Sequence, residues 1–200
     1  MRIAFLLGTF DPIHYGHVSM ATRVLNEGAA DFVYIVPTVN NPWKDTPVAN
    51  FEQRCMMIAN ECAHINNCEL ERVEEDLFPP YYSCNTLDAL YKKYHRSDDD
   101  TLYIIGGADT ISSLPDWMNY ETMIKGRFQV IAFTRNGETP DNNEVPFTLI
   151  NTNDVPDMSS TYIRRLASEG KNLYPYISVS NMEIVGQIYS NTDTQKEFYI

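Results

Sequence analysis

The chain has 200 residues, enough for one domain with a single substantial core. Apolar residues make up 44% and charged residues 21%, an ordinary globular composition. A formal net charge of −12 argues against nucleic acid and anionic membrane as partners, although a local basic pocket can still hold a small anion. The four cysteines, at 55, 62, 68 and 84, form no CxxC pair. That spacing indicates neither zinc nor a redox dithiol, so they read as small buried hydrophobes in a reducing, cytoplasmic setting. The opening "MRIAFLLGTF" has too short an apolar run for a signal peptide, and no stretch reaches membrane-spanning length.

Along the chain, strand-length apolar runs alternate with helical patterns. Ile3–Leu7 reads as a buried strand, and Val18, Ala21 and Leu25 follow at helical spacing. "FVYIVP" (32–37) reads as a second strand stopped by Pro37, and 38–50 as a polar loop with two prolines. Phe51, Cys55, Ile58, Cys62 and Ile65 mark an amphipathic helix over 51–65. "CELERV" suits a short strand, and 84–95 a helix carrying Leu87, Leu90, Tyr91 and Tyr94 on one face. "TLYIIGG" (101–107) is a further buried strand ending in glycines, and 109–125 is mixed, with a break at Pro115. "FQVIAFT" (128–134) and "FTLIN" (147–151) are strands separated by the turn-rich "RNGETPDNNE". "DMSSTYIRRLASEG" has helix punctuation at both ends, and 181–190 forms a last helix.

This alternation predicts an α/β domain, a Rossmann-like doubly wound parallel sheet with helices on both faces. Residues 1–190 form one domain and 191–200 a tail without evident structure. Open sheets of this kind bind ligands beyond the carboxyl ends of their strands. Three polar motifs fall there: "GTFDPIHYGH" after the first strand, "GGAD" after "LYII", and "TRNG" after "QVIAF".

In "GTFDPIHYGH" the turn Gly8–Pro12 should feed a helix that begins near Tyr15 to His17, with His14 and His17 on one side of its first turn. Gly16 would let a ligand approach the backbone. A helix start offers unpaired N–H groups and partial positive charge, which with two imidazoles makes a phosphate site. Three other readings stand beside it. Metal binding by His14, His17 and Asp11 lacks an HExxH pattern and a third ligand. A general base lacks a nucleophile to activate. The histidines could simply cap the helix and pack. Neither GxGxxG nor GxxxxGK occurs, so the site is neither an ordinary dinucleotide fingerprint nor a P-loop. "SSTYIRR" (159–165) repeats the theme: Ser159, Ser160 and Thr161 open a helix, and Arg164 lies one turn along, able to reach back toward its start. Two such anion sites suggest a polyphosphate substrate.

"GTFDPIHYGH" resembles the nucleotidyltransferase signature T-F-D-P-x-H-x-G-H, and "SSTYIRR" resembles S-(S/A)-T-x-I-R. "EQRCMMI", "YYSCNTL" and "IIGGADTISSLPDW" resemble further segments in the same order, over about residues 3 to 190. The chain thus resembles the bacterial-type nicotinate mononucleotide adenylyltransferases of the HxGH superfamily. The resemblance implies transfer of AMP from ATP to nicotinate mononucleotide, giving deamido-NAD and pyrophosphate, with Mg²⁺ riding on the phosphates and few protein ligands. It implies Gly8, Thr9 and Phe10 along the phosphates through backbone and hydroxyl. His14 and His17 would bind ATP phosphates, with His17 stabilising the α-phosphoryl group, and Ser160, Thr161 and Arg164 would hold the β- and γ-phosphates. Gly107 and Asp109 would take the adenosine. On the acceptor side it implies Trp117 stacking on the pyridine ring, backbone N–H groups near Thr86 and Met118 receiving the carboxylate, and Lys44 reaching the mononucleotide phosphate. From the residues alone, Asp109 could equally be an N-cap for 110–114, Thr86 a surface hydroxyl, Trp117 core and Lys44 solvated.

The sequence departs from the family pattern at four places: Leu7 for the first of two glycines, "NPWK" (41–44) for P-P-H-(K/R), "RNG" (135–137) for R-P-G, and Met118 after the tryptophan. Three of the four lie toward the acceptor, which leaves nicotinamide mononucleotide, or both acceptors, as alternatives. A non-catalytic nucleotide-binding regulatory module is the alternative of another class. The small-molecule partners expected are ATP and a pyridine mononucleotide, with no nucleic acid or membrane, and a homo-oligomer is left open.

Overall fold

The computed structural model describes residues 1–134, 139–141, 145–151 and 158–190. "RNG", most of the loop around it and the 191–200 tail lie outside the described residues. Six strands make one sheet: β1 (Arg2–Gly8), β2 (Phe32–Pro37), β3 (Cys68–Leu70), β4 (Thr101–Gly107), β5 (Gln129–Phe133) and β6 (Thr148–Ile150). Their order is β3-β2-β1-β4-β5-β6, and every neighbouring pair is parallel. The order reverses between β1 and β4, which opens a crevice beyond their carboxyl ends.

The helices cover both faces, which is why the strands read as continuous apolar runs rather than alternating ones. Along β1, Ala4 and Leu6 join the core on one face, whereas Ile3 and Phe5 join the core on the other. The first face carries α1 (Tyr15–Asn26), α2 (Phe51–Cys62), α5 (Ser160–Ser168) and α6 (Val179–Tyr189), through residues such as Val24, Ile58, Ile163 and Val185. The second carries α3 (Ser83–Tyr94) and α4 (Ala108–Ser112), through Leu87, Leu90 and Ile111. This is the doubly wound Rossmann-like α/β fold.

Several boundaries differ from the sequence reading. Gly8 is not in the turn; it is the last residue of β1, paired with Pro37. The helix expected over 51–65 stops at Cys62, after a start fixed by reciprocal Asn50–Gln53 capping bonds of 2.9 Å. The mixed stretch 109–125 resolves into α4, a 3₁₀ turn at Leu114–Asp116 around Pro115, and a π turn at Tyr120–Ile124 after Asn119, whose φ is 58°. All four cysteines are buried and unbridged, with the Cys62 and Cys68 sulfurs 3.8 Å apart. No helix among the described residues is long and apolar enough to cross a membrane.

Candidate active site

Beyond β1 the chain turns back over itself. Phe10 sits at φ 51° and is 3% exposed, and its ring lies over Gly8, where a Cβ would come within 2.9 Å of the ring's Cζ. Gly8 is thus required for the packing of Phe10, and Phe10 offers a ligand only its backbone. The Thr9 hydroxyl is buried without a hydrogen-bond partner. His14 is the N-cap of α1: the Gly16 N–H donates to its Nδ1 at 3.2 Å, and its own N–H donates to the Nδ1 of His17 at 3.3 Å. The two rings stack with centroids 3.7 Å apart, and Phe10 meets His17 edge-on at 4.9 Å. Because both Nδ1 atoms accept, each neutral imidazole carries its N–H on Nε2, the donor atom a phosphate oxygen needs. Capping therefore uses the Nδ1 nitrogens and leaves the Nε2 N–H groups out of the cap. The space over Gly16 is filled by the His14 ring and Met158, whose Sδ also accepts from the Gly16 N–H at 3.1 Å. That glycine makes room for protein rather than for an approaching ligand.

Helix α5 arrives at the same turn from the far end of the chain. Ser159 caps it, accepting from the Tyr162 N–H at 3.2 Å. The Ser160 hydroxyl donates to the Pro12 carbonyl at 2.8 Å, docking the helix on the turn. Arg164 donates from Nη1 to the Asp11 carbonyl at 2.7 Å and from Nη2 to Thr161 Oγ1 at 3.2 Å. Two helix N-termini, two imidazoles and a guanidinium thus converge at one strand end. Asp11, which the sequence offers as a turn residue or a metal-ligand candidate, is an anchor. Its carboxylate accepts from the N–H groups of Val48 and Ala49, both at 3.0 Å, and from the Tyr189 hydroxyl at 2.6 Å. Burial, and then the hydrogen bond to Asp11, push the Tyr189 hydroxyl's pKa far above its ordinary value.

At the end of the neighbouring β4, Gly106 has no room for a side chain, since a Cβ would lie 2.8 Å from Ile111 Cδ1. Gly107 is the N-cap of α4, so Asp109 is not the cap; it is an exposed residue of the helix's first turn. Its Oδ1 would be 3.4 Å from a Cβ on Gly107, which keeps the carboxylate beside the strand end.

The residues assigned to the acceptor side are less uniform. Thr86 is not a surface hydroxyl: it is fully buried, its Oγ1 donates to Glu74 at 2.5 Å, and its N–H donates to the Tyr82 carbonyl at 3.3 Å. The N–H groups near it that begin α3 follow Tyr82, which caps the helix without a side-chain hydrogen bond. Trp117 is half-buried against the second core and donates from Nε1 to Ser113 Oγ at 3.3 Å, while Met118 is 49% exposed. Lys44 is exposed in a turn closed by its N–H and the Asn41 carbonyl. Its neighbour Trp43, 78% exposed, has its ring 6.1 Å from that of Tyr82. Sequence reasoning missed two buried charges beneath this region, Arg54 and Glu74. Burial raises the Glu74 carboxyl's pKa, against the opposing hydrogen bonds from Thr86 and Val39 and the charge of Arg54. The "QR" of "EQRCMMI" was the one sequence signal for Arg54.

A hollow of about 690 Å³ lies against α1, lined by Tyr15, Val18, Thr22, Arg23, Met158 and Tyr174 among others.

A doubly wound parallel sheet with a histidine-capped helix after β1 and an arginine-bearing helix docked on the same turn defines an HxGH nucleotidyltransferase. The cytidylyltransferase-like family profile matches residues 5–166, and the chain belongs to that family, in its nicotinate-nucleotide adenylyltransferase branch. It is 31% identical over 182 residues to a protein of Flavobacterium psychrophilum described as "Probable nicotinate-nucleotide adenylyltransferase", covering 88% of this chain and 92% of that one. A protein of the same description from Flavobacterium johnsoniae is 29% identical, with the same coverage. Among solved structures, the Plasmodium falciparum nicotinic acid mononucleotide adenylyltransferase complexed with NaAD shares the fold. Its TM-score is 0.72 at 20% identity, covering 96% of each chain.

Proposed function

We propose that the protein transfers the adenylyl group of ATP to nicotinate mononucleotide, releasing pyrophosphate and forming deamido-NAD. The observation that carries this reading is the docking of α5 on the β1–α1 turn through Ser160–Pro12 and Arg164–Asp11. It brings two anion-binding helix starts within reach of one triphosphate. The names of the relatives support the choice of acceptor.

In this reading a phosphate oxygen of the mononucleotide attacks the α-phosphorus of ATP in line. The bond from that phosphorus to the β-phosphate bridging oxygen breaks, and pyrophosphate leaves without a covalent enzyme intermediate. Catalysis then rests on positioning and on stabilising phosphoryl charge. His14 and His17 donate from Nε2, His17 to the α-phosphoryl oxygens. Thr161 and Arg164 hold the β- and γ-phosphates, while Ser160 and the backbone of Gly8, Thr9 and Phe10 shape the turn beneath them. Asp109, beside Gly107, accepts from ribose hydroxyls. Around this turn the groups are N–H, hydroxyl and guanidinium donors, and the Asp11 carboxylate is already occupied. The donor set suits a divalent cation that enters as Mg²⁺–ATP, bound to the substrate's own oxygens rather than to a protein cage.

For the acceptor, Trp117 supplies a ring face and Lys44 a cation for the mononucleotide phosphate. The N-terminal N–H groups of α3, near Thr86, and the backbone at Met118 favour a carboxylate over an uncharged amide. The test is pyrophosphate release from ATP with each pyridine mononucleotide in turn. Release with the nicotinate form at much higher kcat/KM supports the proposal. Preference for the amide corrects the acceptor, and ATP binding without release under either acceptor overturns the reading.

A further inference from the structure

Segment 38–50 joins β2 to α2 and carries Trp43 and Lys44. Its two ends are buried, Thr38 at 7% and Ala49 at 0% exposure, while its middle is open to solvent. Both ends are held by one guanidinium. Arg54, 1% exposed, donates from Nη1 to the carbonyls of Thr9 at 2.8 Å and Thr38 at 2.6 Å. It donates from Nη2 to the Val39 carbonyl at 2.9 Å and from Nε to the Ala49 carbonyl at 3.2 Å. Two buried carboxylates complete the clamp from the N–H side. Glu74 accepts from Val39 at 2.7 Å at the entry, and Asp11 accepts from Val48 and Ala49 at the exit.

Burying a guanidinium among carbonyls is a costly way to hold a loop if stability were the only need, since apolar packing would do so without desolvating a charge. What the fork supplies is geometry. Four of its five donors fix carbonyls from the nucleotide turn, the loop's entry and its exit in one frame, which the point charge of a lysine cannot do.

We propose that Arg54, with Glu74 and Asp11, is the positioning group for the acceptor end of the reaction: it sets where Trp43 and Lys44 stand relative to the bound nucleotide. This rests on the acceptor reading given above for segment 38–50. Arg54 touches no reacting atom. It acts through the backbone of the loop, while Glu74 holds the loop's entry at Val39 and also accepts from Thr86 in α3.

Glu74→Leu, Glu74→Gln and Arg54→Lys test it. Leucine leaves the Val39 N–H without its acceptor. Glutamine keeps one, accepting from Val39 and donating to Thr86. In Glu74→Leu the KM for nicotinate mononucleotide rises about tenfold while the KM for ATP stays within about threefold, and Glu74→Gln restores the acceptor KM. Arg54→Lys raises the acceptor KM at least as much. A second readout does not depend on turnover: in a Trp117→Phe chain, the fluorescence anisotropy of Trp43 falls on adding Glu74→Leu and recovers with Glu74→Gln. A Glu74→Leu chain with lowered melting temperature but unchanged acceptor KM and Trp43 anisotropy overturns the proposal, as does a Glu74→Gln chain as impaired as Glu74→Leu. Should Arg54→Lys fail to fold, the Glu74 pair decides. Should the wild-type protein transfer no adenylyl group, the function reading fails on its own, and the anisotropy series still tests the clamp.

Discussion

Arg164 and Asp11, 153 residues apart, are joined by a 2.7 Å hydrogen bond from the guanidinium to the main-chain oxygen, and the same arginine stands 3.8 Å from the Asp11 carboxylate. The bond places a cation from the late helix α5 over the turn that the first strand feeds. The Arg164 side chain is 29% exposed, so it is reachable by a ligand without unfolding anything. Replacing it with alanine should lower turnover by about 10²–10³-fold, the usual loss for one charge-stabilising donor. The melting temperature should move little, because a half-exposed ion contact contributes about 0–1 kcal/mol. Pyrophosphate release together with thermal unfolding checks both halves.

The stacked histidines have separable duties. His14→Ala removes the N-cap of α1 and should cost about 1 kcal/mol of stability, whereas His14→Asn keeps a capping oxygen and should not. Both variants lose the imidazole donor and should be slow. His17→Ala should lower turnover by about 10²–10³-fold, with a stability loss of about 1 kcal/mol from the reciprocal half of the cap. Near-normal turnover in the His17 variant would remove that ring from the chemistry.

The sheet was legible because it is buried on both faces. "IAFLL", "VYIV", "LYII" and "VIAF" need no alternation, and the glycines and capping residues after them mark where strands stop. The paired imidazoles and the arginine were legible as motifs, since a helix start and its first turn are local structure. Long-range polar contacts were not. Nothing in the pattern around Asp11 says that it reaches Ala49 and Tyr189, nor in that around Glu74 that it meets Thr86, 12 residues on. Hydrophobic periodicity tells which face of a helix is inward, not which carbonyl a buried guanidinium on that face will find. Between 109 and 125, Pro115 and the left-handed Asn119 break the chain into single turns too short to carry a period.

Gly8 is held by its neighbour's ring. A Cβ there would meet Phe10 Cζ at 2.9 Å and the ring's Cε1 at 3.1 Å, and Phe10 is already at a positive φ. Gly8→Ala should therefore cost about 1–3 kcal/mol through overpacking and weaken ATP binding as the turn shifts. Urea unfolding and ATP titration measure the two effects. An alanine variant with unchanged stability would show that the ring yields freely.

Glu74 sets a pH dependence of known sign. Its folded-state pKa lies above the reference value of 4.5, mainly through burial. Its contribution to stability is therefore greatest below that value, where both states are protonated, and is lost as pH rises through the folded pKa. Glu74→Gln should gain stability relative to the wild type as pH is raised from about 4 to 7. Paired urea curves at the two ends of that range give the slope, and a gain that shrinks with rising pH would contradict the assignment.

Tyr189 ties α6 to the β1–α1 turn through its 2.6 Å bond to Asp11. Removing a buried hydrogen bond to a carboxylate by Tyr189→Phe should cost about 1.5–3 kcal/mol. Turnover at a temperature where the variant is folded should remain close to normal, because Val48 and Ala49 still hold the carboxylate.

The most direct measurement of the central claim is a crystal structure with a non-hydrolysable ATP analogue and Mg²⁺. The triphosphate should lie across the β1–α1 turn, with the imidazole Nε2 atoms of His14 and His17 on one side and Thr161 and Arg164 on the other. A triphosphate bound elsewhere, such as in the hollow against α1 lined by Arg23 and Tyr174, with the histidines and Arg164 untouched, would contradict that claim.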